Sequence, residues 1–462
     1  MPTIAKTGSL IPPIVLEKRG PRVDWPRSKE RQQITDGEKL ELIAAHYPAI
    51  RAFIDMARIA SPTITLGDPH ENEMRTNMAK VADVIAEQYQ KLDIPKRNIT
   101  FDPLGVQIIN VPGTNGFKNK RRIMFVGHRD IVPADLKNPA KPVNPKLILH
   151  ETPEGEKLYI ATDGTTTLGA DDKASLASIW EAVRLLKENK IPHVPLDIVI
   201  APDEESGNES LYKLDTSKLR ARQVIIADHF MDFCVGYGCS SYSSINIKIT
   251  GLTGGHNGVE VHKNLNAAVV INELFNRIGD GVIADDPNQP GTPLISKTAH
   301  VFGVKPSPGG AIPSDADYSI TLRSRDKKLE DKEIRKIRMM AREVERKYRG
   351  LESNLRIKVQ VERWPAWLGR KNSPLVRLLE DSAHEIGHDE IFSGVGHGFT
   401  QGNILCTKRN YYGEEFELAI AGPDVEKLHS VEEKTGVQSI IDVGEWFSKT
   451  IEKFSATKKL SG

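Results

Sequence analysis

The sequence predicts an α/β fold in two parts: a large domain around a central, mostly parallel sheet, and a smaller α+β domain of ferredoxin-like order inserted into it. Three observations carry this. A chain of 462 residues exceeds what one ordinary core organises, so two domains are the starting expectation. Residues 196–201, reading LDIVIA, form an apolar run with little alternation, as a strand covered on both faces does. Past Ser240 the pattern changes to alternation, with Ile245, Ile247 and Ile249 two apart, as in a strand with one covered face.

Along the chain, residues 1–36 hold Pro12, Pro13, Pro21 and Pro26 among mixed charges and read as an N-terminal arm. The first part of the large domain is expected over 37–242. Helical spacing runs through 37–59 (Leu40, Ile43, Ala44, Ile50, Phe53, Ile54), with a break at Pro48. A second helix is expected over 73–92, and strands over 106–111 and 122–126. A helix over 171–187 puts Leu176, Ile179, Trp180, Val183 and Leu186 on one face. Strands over 196–201 and 223–227 complete an alternation of strand and helix that argues for a largely parallel sheet. Residues 243–361 read differently. A strand over 244–250, a helix over 265–278, a strand at Tyr318, Ile320 and Leu322, a charged amphipathic helix over 332–349 and a strand over 355–361 suggest a β-α-β-β-α-β unit. From 362 to 462 the pattern of the large domain resumes.

Composition narrows the function. Charged residues are 27% and hydrophobic ones 39%, a globular balance. Lys plus Arg is 63 against 62 for Asp plus Glu, so no nucleic-acid partner is expected. No apolar run approaches the ~20 residues of a membrane span, and the N-terminus lacks the order of a signal peptide. The expected location is the cytoplasm. Cys234, Cys239 and Cys406 are odd in number and widely spaced, which fits a reducing compartment rather than a disulfide framework.

Four segments place acids or histidines at the ends of expected core strands, the edge where open α/β sheets bind ligands. His128 and Asp130 are two apart on an extended segment and so share a face; a carboxylate beside an imidazole can hold its ring for a metal. Asp171 and Asp172 precede a helix. Glu204 and Glu205 follow the buried strand in "PDEESG", where adjacent acids raise one another's pKa or call for a cation. Asp228 follows the strand at 223–227, and His429 lies near the C-terminus. Each alone reads as a helix cap, a solvated loop or an ordinary strand exit. Together, His128, Asp171, Glu205, Asp228 and His429 form the carboxylate and imidazole set that two divalent ions need, ~3.5–4 Å apart with one bridging carboxylate.

These segments resemble the zinc exopeptidase family that includes peptidase T, aminoacylhistidine dipeptidase (peptidase D), carboxypeptidase G, aminoacylase and succinyl-diaminopimelate desuccinylase. "TDGTTTLGADDKAS" and "PDEESG" are similar to peptidase T. "GLTGGHNGVEVH", the segment from Pro365 to Pro374 and "LHSVEEK" are similar to aminoacylhistidine dipeptidase. The resemblance implies a di-metal catalytic domain and an inserted dimerisation or lid domain, hence a homodimer. It makes His128, Asp171, Glu205, Asp228 and His429 metal ligands, with Asp171 bridging, and Asp130 the acid that orients His128. Glu204 becomes the general base, His256 of "GGHNG" an oxyanion stabiliser often lent by the partner subunit, and Arg323 a grip on a substrate carboxylate. The ions implied are two Zn²⁺, with Mn²⁺ or Co²⁺ as alternatives.

There are departures. Arg129 separates His128 from Asp130 where the family has an apolar or small residue, Gly310 replaces a frequent Asn, and Gln401 stands where the dipeptidase-like pattern has an acid. The expected function is hydrolysis of small peptides by a metal-activated water. The alternatives are removal of an acyl group from an amino acid on the same architecture, and a non-catalytic binding protein that keeps the fold.

Overall fold

The computed structural model describes residues 36–152, 155–305 and 309–457, so the arm expected over 1–36 lies almost wholly outside the described residues. In chain order the large domain begins with α1 (Asp36–His46), α2 (Pro48–Ala57), α3 (Glu71–Lys91), β1 (Ile99–Phe101), β2 (Gln107–Val111), β3 (Ile123–His128), β4 (Lys146–Thr152) and β5 (Gly155–Ala161). It continues with α4 (Ala170–Glu188), β6 (Leu196–Ala201), α5 (Glu209–Lys213), β7 (Gln223–Ile226) and β8 (Cys234–Cys239). The break expected at Pro48 falls at Tyr47, and Pro48 opens α2, where its missing N–H costs no helical hydrogen bond.

A second sheet follows: β9 (Ser241–Thr250), α6 (Ala267–Ile278), β10 (Gly281–Asp285), β11 (Pro293–Val304), β12 (Ala316–Ser324), α7 (Lys327–Arg349) and β13 (Arg356–Trp364). The chain then returns through β14 (Trp367–Leu368), α8 (Pro374–Glu385), β15 (Phe392–Gly396), α9 (Gly402–Leu405), β16 (Glu417–Ile420), β17 (Val425–Glu426), β18 (Lys434–Gly436) and α10 (Val437–Ala456).

The large sheet runs β1-β2-β6-β3-β7-β16-β8-β14, with β15 beside β8. Its middle strands β6, β3, β7 and β16 are parallel, while β1, β2 and β14 join antiparallel, so the sheet is mixed. The core strands are apolar on both faces because each face packs on its own cluster. Ile123 and Phe125 of β3 and Ile198 and Ile200 of β6 enter one core with α2, α4 and α10. Met124, Val126 and Val199 enter another with Ile404 and Leu418.

The smaller sheet, β10-β11-β12-β9-β13, is antiparallel throughout. Taken as β13-β9-β12-β11 it has the ferredoxin-like order, and β10 adds an edge strand. Ile245, Ile247 and Ile249 face α6 and α7 in one core, as their alternation predicts. A third sheet, β17-β18-β5-β4, has no counterpart in the sequence reading. Its pairing of β18 with β5 brings the segment before α4 alongside the loop between β17 and β18.

Candidate metal centre

The parallel strands β3, β6 and β7 end side by side, and each hands a polar residue to the same pocket. His128 is the last residue of β3. Glu204 and Glu205 form a 3-10 turn just past β6, and Asp228 stands two residues past β7. Asp171 comes from the start of α4, and His429 from the loop between β17 and β18. Five side chains far apart in the chain thus meet. His128, Asp171 and Asp228 offer ligand atoms within 4.8 Å of one another, as do Asp171, Glu205 and His429. His128, Glu204 and Glu205 form a third such group.

Asp171 joins the first two groups. Its Oδ1 lies 3.1 Å from His128 Nε2 and its Oδ2 3.3 Å from His429 Nε2. His429 Nε2 also meets Glu205 Oε1 at 3.0 Å. The Asp171 and Glu205 carboxylates push the His429 pKa up to about 10. At His128 burial opposes protonation, but Asp130 and Asp171 override it and hold the pKa well above the usual value. Burial would raise Asp171, yet the two imidazoles keep it below the ordinary carboxylate range.

In the remaining acids the histidines do not outweigh burial. Burial, with Asp228 and other neighbouring acids, lifts Glu204 well above the carboxylate range. Burial and Asp171 lift Asp228 to about 7, and burial raises Glu205. Hard oxygen and imidazole donors, buried with more negative charge than two imidazoles balance, fit a pair of divalent cations.

Asp130, fully buried, organises the pocket. It faces His128 Nδ1 at 3.3 Å through Oδ1 and accepts the N–H of Glu204 (2.9 Å), the N–H of Glu205 (3.1 Å) and the Thr63 hydroxyl (2.5 Å). One carboxylate therefore sets both an imidazole and the turn that carries two acids. Arg129 points away: its guanidinium donates to the carbonyls of Ile200 and Gly105.

Two supporting residues escaped the sequence reading. Asp172 Oδ2 accepts the His128 N–H at 3.0 Å; a Cβ on Gly127 would lie 2.5 Å from that oxygen, so Gly127 is needed for close approach. Glu433, buried, accepts the N–H groups of Leu168, Gly169 and Asp171 at 2.8, 3.0 and 3.1 Å and so fixes the loop that presents Asp171. Its place in "LHSVEEK" was the available signal.

The smaller domain supplies the other expected residues. Arg323, on β12, lies over the Tyr242 ring at 5.3 Å, and its Nη1 is buried without a hydrogen-bond partner. His256 is apart from the cluster on an exposed loop, where its backbone pairs with Ala311 and its Nδ1 accepts the Gly258 N–H at 3.1 Å. His397 bridges the domains as a satisfied histidine, with Nδ1 2.9 Å from Ser240 Oγ and Nε2 2.7 Å from Ser296 Oγ. The three cysteines are free, and among the described residues no helix is long and apolar enough to cross a membrane.

Residues 124–453 match the family model described as Peptidase family M20/M25/M40. Protein YqjE of Bacillus subtilis (strain 168) is 25% identical over 412 residues, 87% of this chain and 97% of that protein. Peptidase T of Escherichia coli (strain K12) is 30% identical over 205 residues, 44% of this chain and 46% of that one. Among solved structures, a tripeptidase from Staphylococcus aureus superposes with a TM-score of 0.69 at 20% identity, covering 88% of this chain and 98% of its own.

Proposed function

We propose that this chain, which belongs to peptidase family M20/M25/M40, is a two-metal exopeptidase that hydrolyses the amide bond of di- or tripeptides. The observation that carries this reading is the Asp171 carboxylate, with one oxygen turned to His128 and the other to His429, as a bridging ligand requires. One cation would be held by His128, Asp171 and Asp228, the other by Asp171, Glu205 and His429. The nitrogen and oxygen donors suit Zn²⁺, with Mn²⁺ or Co²⁺ as alternatives. Bound there, such ions supply Lewis acidity and a water of lowered pKa.

The chain's own groups then have defined tasks. Asp130 holds the His128 ring and the Glu204–Glu205 turn in place. Glu204 is the general base: Asn208 Nδ2 donates to its Oε1 at 3.0 Å, which leaves Oε2 to take the water's proton and return it to the leaving amine. Its raised pKa suits a base that works near neutrality. Arg323, with a buried and unpaired Nη1 over Tyr242, grips a substrate carboxylate. His256 stabilises the oxyanion from the partner subunit of a homodimer. Its exposed loop supports that role, as do the exposed Val282, Ile283, Val301 and Phe302 on β10 and β11 of the same domain. We place this activity in the cytoplasm, with the free thiols in support.

Removal of an acyl group from an amino acid is the second reading, because Arg323 would grip that substrate's carboxylate equally well. A panel of di- and tripeptides against N-acyl amino acids, read by mass spectrometry on metal-loaded protein, separates the two. Peptide cleavage that disappears in Glu204→Gln while metal content stays near normal is the expected result. Near-normal turnover in that variant rules out the assigned base.

A further inference from the structure

We propose that Asn208 is a positioning residue for the hydrolysis: its carboxamide fixes the plane of the Glu204 carboxylate, so that one oxygen is held and the other is presented to the water. This rests on the reading of Glu204 as the general base. Asp130 places the backbone of Glu204 by accepting its N–H at 2.9 Å, but that bond does not place the carboxylate. The last torsion of a glutamate is broad and roughly two-fold, so a carboxylate on a fixed backbone still turns unless a partner grips it. Among the described residues Asn208 is the hydrogen-bond partner of that carboxylate, with Nδ2 donating to Oε1 at 3.0 Å.

The local chain leaves that carboxamide free for the task. Asn208 stands at the N-cap of α5, where an Asn side chain ordinarily accepts an N–H from the first helical turn. Here it makes no such bond. Asp203 caps the turn instead: its Oδ2 accepts the Ser210 N–H at 2.8 Å and its Oδ1 the Ser210 hydroxyl. Asn208 has a left-handed backbone, with φ 59° and ψ 39°. Its N–H donates to the Asp203 carbonyl at 2.8 Å, and its own carbonyl accepts the Tyr212 N–H at 2.9 Å. In that conformation the side chain reaches Glu204 rather than the helix.

Stability alone does not account for an asparagine here. The left-handed region favours glycine, and Asn208 is 0% exposed with its Oδ1 unpartnered. A buried acceptor without a donor is destabilising, and glycine would avoid it. What glycine lacks is the donor at Nδ2. Aspartate has the same shape and also tolerates this backbone, but a carboxylate only accepts and would set oxygen against oxygen at Glu204. Of the three residues suited to this backbone, asparagine is the one that supplies the hydrogen bond.

The test is steady-state hydrolysis by the metal-loaded full chain, on the best substrate of the panel above. Wild type, Asn208→Gly, Asn208→Asp and Glu204→Gln are compared, with metal content and melting temperature measured on each. Both Asn208 variants should lower kcat by about 10–100-fold, the scale of a misplaced group in the reacting geometry, with KM within about threefold. Their metal content should match wild type, and Asn208→Gly should melt no lower. Should one of the two fail to fold, the other decides. A fall in kcat of less than about tenfold, beside a large loss in Glu204→Gln, overturns the role of Asn208 alone. Loss of metal or a lower melting temperature that accompanies the loss of kcat in both overturns it too, in favour of a merely structural role. Near-normal kcat in Glu204→Gln, or a wild type that hydrolyses nothing in the panel, overturns this proposal together with the reading on which it rests.

Discussion

Asp130→Asn tests the organisation of the pocket in a single substitution. Asp130 is fully buried and accepts from two backbone N–H groups and one hydroxyl. Asparagine keeps the shape but turns one acceptor into a donor. On the Oδ1 side that donor meets the Glu204 N–H and the His128 ring. On the Oδ2 side it meets the Glu205 N–H and Thr63, whose hydroxyl can reverse. The second placement is less costly, and it leaves one buried N–H, that of Glu205, without an acceptor. Such a loss costs about 1–3 kcal/mol, and the bonds that survive lose their charge assistance. The turn carrying Glu204 and Glu205 loosens, and His128 loses the anion beside its Nδ1, so kcat/KM should fall by about 10–100-fold. Urea unfolding at fixed metal concentration reads the first effect; peptide hydrolysis and metal content read the second. A stability change under about 0.5 kcal/mol, the scale of an ordinary surface substitution, together with unchanged turnover, would refute the reasoning.

Three further predictions follow from the same contacts. In Gly127→Ala the new Cβ meets Asp172 Oδ2 at 2.5 Å and Leu176 Cδ2 at 3.0 Å, and β6 and β7 flank it on both sides. Overpacking should cost about 1–3 kcal/mol and lower the metal content, as denaturation and elemental analysis would show. Arg323→Ala should raise KM far more than it lowers kcat, and only for substrates with a free carboxylate; equal effects on amidated peptides would remove the assigned role. In the smaller domain, hydrogen bonds from Lys347 and Tyr348 bring the Glu273 pKa down to about 2 from 4.5. A depressed carboxylate stabilises the fold above its unfolded pKa and ceases to as pH falls through its folded one. Stability should therefore decline between pH 4.5 and about 2, and Glu273→Gln should flatten that part of the curve in thermal melts.

Local physics made much of this molecule readable. The run Leu196–Ala201 announced a strand covered on both faces and is β6, with apolar side chains in two cores. The alternation of Ile245, Ile247 and Ile249 announced one covered face and is β9. β4 and β5 were missed: with Lys146, His150, Glu151 and Lys157 they carry too many polar side chains to signal burial. The edge strand β10 was missed because Val282 and Ile283 are exposed and pack on no core.

The five candidate ligands, Asp130 and Glu204 were legible because acids and histidines at strand ends are chemically conspicuous. Asp172 and Glu433 were not recognised as site residues, because each acts only through the backbone N–H groups it accepts from. The sequence by itself determined which side chains can bind cations and which segments are buried, since donor chemistry and hydrophobic periodicity are local properties. Only the tertiary structure decided that β18 pairs with β5. That pairing carries His429 to Asp171, and Glu433 to the loop before α4, across more than 250 residues of chain. Such a meeting depends on how sheets close and cores pack, and no local pattern of residues encodes it.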